Sequence, residues 1–175
     1  MIKTTYLFLI FILSTVAGYS QCDITYEYDK FNKHTIAKSE ERTVIGKLAN
    51  GIYISGIKRI KEDSPIYILK VRTVSTQLSS VSTDGRMLFL LSNKQIVETT
   101  ISKYGIGKLR SIHNGVYDLV FHVSITEEEL MKFGTGFLES IRIEYTEGYR
   151  DRDIPKKLRG EMTNLAGCLY KAKYP

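Results

Sequence analysis

The sequence predicts an α+β fold that is mainly β: a curved antiparallel sheet, laid out as a meander and closing toward a sandwich or half-barrel, with a short helix and a C-terminal helix packed on it. Three observations predict it. Apolar residues alternate with polar ones over many short segments, the period of a half-buried strand. Turn signals such as Asn50-Gly51, Asp84-Gly85 and Ser92-Asn93 separate those segments. A helical stripe occurs only late, after residue 150.

Ile24, Tyr26 and Tyr28 fall on one face of a strand over Asp23–Asp29, and a turn follows around Asn32. Thr43–Ile45 and Gly51–Ile60 are two more strands. Lys61-Glu62-Asp63-Ser64-Pro65 is a polar turn, since Pro65 can only begin a strand. In Ile66–Val74 one face carries Tyr67, Leu69, Val71 and Thr73, and the other Ile68, Lys70 and Arg72. The Ser/Thr-rich stretch 73–83 reads as an edge strand or an exposed loop. Asp84-Gly85 is a hairpin signal, leading to strands Arg86–Leu91 and Lys94–Ile101. Residues 102–114 read as a loop. Gly115–Ile125 puts Tyr117, Leu119, Phe121, Val123 and Ile125 toward the core and Asp118, Val120, His122 and Ser124 on the other face.

Thr126-Glu127-Glu128-Glu129 opens a short helix with a capping box, and its acids suit the helix dipole better than a metal. Leu130, Met131 and Phe133 form its apolar side. Phe137–Tyr145 returns as a strand. Asp153 caps the final helix, Pro155 occupies its first turn, and Ile154, Leu158, Met162, Leu165 and Leu169 form its apolar stripe.

The chain divides into residues 1–20, a secretory signal peptide, and residues 21–175, one β-rich domain. A weakly basic start with Lys3 is followed by the apolar run Tyr6–Leu13, then by small residues up to Ser20, with cleavage before Gln21. The run is too short to cross a bilayer comfortably. No transmembrane span remains after cleavage, and the expected location is periplasmic or secreted. The alternative is a lipoprotein anchored at Cys22, although Gln21 and Tyr19 fit a lipobox poorly.

The chain carries 25 Lys and Arg against 19 Asp and Glu, a net charge of +6, of which the leader supplies only Lys3. The excess is spread out and interleaved with acids, as in Arg150-Asp151-Arg152-Asp153, so a nucleic-acid partner is not expected. The two cysteines, Cys22 and Cys168, are expected to form a disulfide in an oxidising compartment. The loop it closes, about 145 residues, corresponds to on the order of 5 kcal/mol in the chain-entropy view.

Chemical motifs are sparse. His34, His113 and His122 lie in three different segments, without zinc-ligand spacing, and no metal or cofactor is expected. His122 is the weak catalytic candidate, because it shares a polar strand face with Asp118 and Ser124. Asp118 is about 13 Å from it at ~3.3 Å per residue, so a triad would need partners from other strands. There is no GxSxG elbow, and Gly105-Ile106-Gly107 is not followed by the third glycine of a phosphate loop.

The leader is followed by Cys22-Asp23-Ile24-Thr25-Tyr26-Glu27-Tyr28-Asp29-Lys30-Phe31. The Asp84-Gly85 signal lies mid-chain, Ile125-Thr126-Glu127-Glu128-Glu129-Leu130 leads to Ile141-Arg142-Ile143, and a helix closes the chain. In this layout the protein resembles small exported proteins of Bacteroidetes bacteria, a loose group of unknown function, over most of the mature chain. The resemblance implies an envelope or secreted protein with no assigned catalytic residues. The expected function is a non-catalytic binding or protein-interaction module, its partner an unidentified protein or envelope component and its binding residues and oligomeric state unassigned. The alternatives are an envelope hydrolase with a site assembled from distant residues and a small-ligand carrier.

Overall fold

The computed structural model describes residues 22–46, 50–60, 65–111 and 115–173. The expected leader and cleavage site, the polar turn at 61–64 and His113 lie outside the described residues. Strands β1 (Ile24–Asp29), β2 (His34–Ser39), β3 (Arg42–Ile45), β4 (Ile52–Ile60), β5 (Ile66–Ser75), β6 (Ser80–Val81), β7 (Arg86–Leu91), β8 (Ile96–Lys103), β9 (Gly105–Ile106), β10 (Lys108–Ser111) and β11 (Val116–Ile125) come first. Helix α1 (Glu127–Lys132), β12 (Leu138–Tyr145), β13 (Gly148–Asp153), a single 3₁₀ turn (Lys156–Leu158) and helix α2 (Glu161–Lys171) follow.

Eleven strands form one open sheet in the order β1-β2-β4-β5-β11-β8-β7-β12-β13, with β3 added to β4 and β10 to β11. All of its pairings are antiparallel. Register shifts at Thr43/Ile45, Leu109/Ser111, His122/Val123 and Leu138/Ser140 interrupt the ladders, and such bulges bend a sheet and increase its twist. The bent sheet wraps one core. Ile54, Leu69, Phe121, Phe89 and Ile141 from successive strands meet Leu130 and Phe133 of the α1 segment and Met162, Leu165 and Leu169 of α2. Phe89 and Phe133 touch edge to face, ring centroids 5.2 Å apart, the arrangement the ring quadrupoles favour.

Helix α2 lies against β2, β3 and β4. Two devices hold it there. Gly56 removes a side chain where a Cβ would stand 2.1 Å from Leu169 Cδ1, so the helix can sit directly on the strand. Lys58, buried on the inner face of β4, donates from Nζ to the carbonyls of Tyr170 at 3.2 Å and Ala172 at 2.7 Å. It thereby satisfies and neutralises the negative end of the helix. Its ammonium also lies 5.3 Å from the ring centre of Tyr67. Burial lowers the Lys58 pKa, an effect that nearby Glu127 opposes. Covalently, the Cys22–Cys168 disulfide joins the residues just before β1 to α2, with Cα atoms 5.4 Å apart.

The predicted core face of β11 is the observed one, strands form where 51–60 and 66–74 were expected, and Thr126 and Glu129 form the predicted capping box. Several expectations fail for identifiable reasons. Tyr26 and Tyr28 are exposed, because β1 is an edge strand whose middle residues are exposed on both faces. Asp84 does take a left-handed φ of 72°, but no hairpin forms there: β6 pairs with β9 and β7 with β8. Instead the turn extends the β7–β8 ladder, through bonds from Asp84 N–H to Ile101 O and from Ile101 N–H to Gly85 O. Met131 is exposed. Asp153 does not cap a helix: it pairs with Ser140 as the last residue of β13, and Ile154 continues that pairing to Glu139. Helix α2 starts only after Gly160, without a side-chain cap. Ile154 and Leu158 reach the core from outside it.

Candidate functional site

Alternation along β11 sends Leu119, Phe121 and Val123 into the core and leaves Asp118, Val120, His122 and Ser124 outside. Cross-strand register then decides what stands beside each outer residue. His122 is directly opposite Lys70 on β5 and opposite Lys103 on β8, so three basic side chains form a row across three strands. Burial is the first cause of a lowered His122 pKa, and the charges of Lys103, Lys70 and Arg59 add to it. The neutral imidazole is therefore favoured, and among the described residues its ring makes no hydrogen bond.

Two residues from this row stands a charge network. Arg72 forms a bidentate pair with Glu41 and stacks 4.0 Å over the Tyr53 ring centre. The bond to Arg72 holds Glu41 below the usual carboxylate range. Asp118 Oδ1 is buried and makes no hydrogen bond. Its charge is balanced by Arg110 at 3.7 Å and Arg72 at 3.9 Å. Both carboxylates of this region are thus neutralised by arginines. By contrast, Arg59, Lys70, Lys103 and Lys108 form no ion pair among the described residues.

The stretch predicted as a loop after residue 102 contains the end of β8 together with β9 and β10, and it builds the rest of this face. Gly105 allows it to lie on β11: a Cβ there would stand 2.7 Å from the Val120 carbonyl oxygen. The flanking side chains remain in solvent. Tyr104 is 53 % exposed, Ile106 51 %, Leu109 50 % and Val120 39 %. With Lys103 and Lys108 they line a shallow open groove of about 540 Å³. A second open hollow of about 450 Å³, reaching Lys38, Ser55, Lys70 and His122, lies along the same sheet face. Lys103 and His122, opposite each other in register, connect the two. Sequence reasoning singled out His122 but missed Tyr104, Ile106 and Leu109. Their only signal was apolar residues interleaved with Lys103, Lys108 and Arg110.

The other sequence-predicted residues do not join this face. Asp118 is occupied by arginines, and the Ser102 hydroxyl donates to the His122 backbone carbonyl rather than to its ring. No triad is assembled among the described residues. His34 Nε2 stands 3.9 Å from Asp29 in the β1–β2 turn. Glu127 accepts from the Tyr67 hydroxyl at 3.0 Å, Glu128 pairs with Lys132, and Glu129 closes the capping box. Cys22 and Cys168 are joined to each other, so the sulfur that a lipid anchor would occupy is in the bridge. A small, partly open pocket of about 20 Å³ lined by Thr73, Leu119, Tyr145 and Arg150 has room for about one water.

Comparison with known proteins finds no family model, curated protein or solved structure that matches the chain.

Proposed function

We propose that the protein is a non-catalytic binding module of the cell envelope or its surroundings, docking through the outer face of β11 and the adjoining segment 103–110. The observation that carries this reading is the composition of that face: half-exposed Tyr104, Ile106 and Leu109 line one groove with Lys103 and Lys108, Lys70 stands in the adjoining hollow, and none of these three lysines forms an ion pair among the described residues. Apolar side chains clustered with these unpaired cations support reading this face as an interaction surface. Hydrolysis would need a nucleophile or water held at His122, which the register does not supply. A carrier would enclose its ligand, whereas the two larger hollows of this face are shallow and open. An exported location is part of the same reading. The disulfide suits an oxidising compartment, and no helix among the described residues is long and apolar enough to cross a membrane.

The test uses disulfide-bonded mature protein, beginning at Gln21, immobilised and exposed to envelope extract. Retention of envelope material that is lost in Leu109→Glu and kept in Lys94→Ala, an exposed position in the β7–β8 turn, is the expected result. Retention unaffected by Leu109→Glu would remove this face from the proposal. Hydrolytic turnover lost in His122→Ala would reverse the choice between module and enzyme.

A further inference from the structure

We propose that the surface recognised by this face is an anionic lipid surface, with Lys70, Lys103 and Lys108 over the headgroup phosphates and Tyr104, Ile106, Leu109 and Val120 at the acyl boundary. The inference rests on the binding-module reading of the same face and names its partner.

Four features favour lipid over other anions. First, cations and apolar side chains share one groove, Lys103, Lys108 and Arg110 lining it together with Tyr104, Ile106, Leu109 and Val120. Long basic side chains that reach headgroups while apolar neighbours sink beside them are the pattern of an interfacial element. Second, the two carboxylates of the region, Glu41 and Asp118, are matched by Arg72 and Arg110, so neither opposes an anionic surface. Third, the hollows are shallow and open, without a set of converging donors that would hold one small ligand. A fluid headgroup layer needs no such register. Fourth, a soluble polyanion would leave Ile106 and Leu109 uncovered, whereas the core of a protein–protein interface is ordinarily depleted of lysine.

The test is co-sedimentation of the disulfide-bonded mature protein with vesicles of phosphatidylcholine alone, or with roughly one-third phosphatidylglycerol to supply the negative surface potential. Binding is expected only to the anionic vesicles and should weaken with added salt. Lys103→Ala and Lys108→Ala should each reduce the partition coefficient roughly fivefold. Leu109→Ser should also reduce it, at constant charge. Lys94→Ala, in the β7–β8 turn away from this face, should not. All four positions are exposed, and matching circular dichroism and melting curves verify that each variant is folded.

Equal binding to neutral vesicles, or no binding to either, overturns the lipid assignment. So does binding that Leu109→Ser leaves unchanged, which would mean a purely ionic contact of the kind a soluble polyanion makes. The same variants are run against detergent-extracted, delipidated envelope protein. Loss of retention there, without vesicle binding, keeps the binding module and removes the lipid. Failure in both assays removes both.

Discussion

At the scale of single residues, the row Lys70–His122–Lys103 has a thermodynamic consequence. Burial and neighbouring cations lower the His122 pKa in the fold, whereas the unfolded chain returns it to the ordinary histidine value. Below that value the unfolded state binds more protons than the folded one. Stability therefore rises with pH through the interval and is lost as pH falls from the ordinary histidine range toward the lower folded-state pKa. Histidine NMR should show His122 titrating below the free residue. Unfolding of His122→Gln should be less pH-dependent than wild type between roughly pH 5 and 7. A His122 midpoint at or above the free value would contradict the row. The same side chain was visible in the sequence, because alternation put it on the polar face. Its neighbours were not, because cross-strand register belongs to no local segment.

At the scale of elements, helix α2 depends on what it packs against. It follows Gly160 without a side-chain cap, and Gly167 in its interior costs on the order of 1 kcal/mol relative to alanine. Its C-terminal carbonyls are met by a charged donor from another element, Lys58. Replacing Lys58 by Met keeps an unbranched apolar stem but leaves those carbonyls without their donor. Hydrogen bonds to a charged group contribute about 1.5–3 kcal/mol, so Lys58→Met should lower the unfolding free energy by about 2 kcal/mol in denaturant titration. A loss below half that would mean that water replaces the ammonium. The limits of sequence reading also appear at this scale. β4, β5 and β11 each bury one face, and their alternation is plain. β13, Gly-Tyr-Arg-Asp-Arg-Asp, has no apolar face at all, because it is an edge strand whose extended form comes from pairing with β12. β9 and β10 are short and start at glycine or lysine, so pairing alone makes them strands. Ile106 and Leu109 of the candidate face lie on them and were hidden for the same reason.

At the scale of the whole molecule, the fold is an open sheet curled around its helices, with β1 and β13 as its free edges. Both edges carry charges: Glu27 and Asp29 on β1, and Arg150, Asp151, Arg152 and Asp153 on β13. Charged residues discourage edge-to-edge association. The disulfide acts at this scale, since it ties chain positions 146 residues apart. The double replacement Cys22→Ser and Cys168→Ser should cost about 2–5 kcal/mol, measured by guanidinium unfolding under oxidising conditions. A difference under about 1 kcal/mol would mean that Lys58 and the Gly56–Leu169 contact hold the helix unaided. The pairing of the two cysteines was legible because there were only two. The helix boundary beside them was not, because β13 and the 3₁₀ turn occupy residues that the apolar stripe alone assigns to a helix.

That bridge also sets an order of events. Cys22 emerges early from any machinery that delivers the chain from its N-terminus, and its partner follows 146 residues later. Until residue 168 arrives, Cys22 has no native partner, and a chain cut short anywhere before that point keeps a free thiol. The covalent closure thus distinguishes chains that reach residue 168 from those cut short before it, and a thiol-reactive label would read that difference directly.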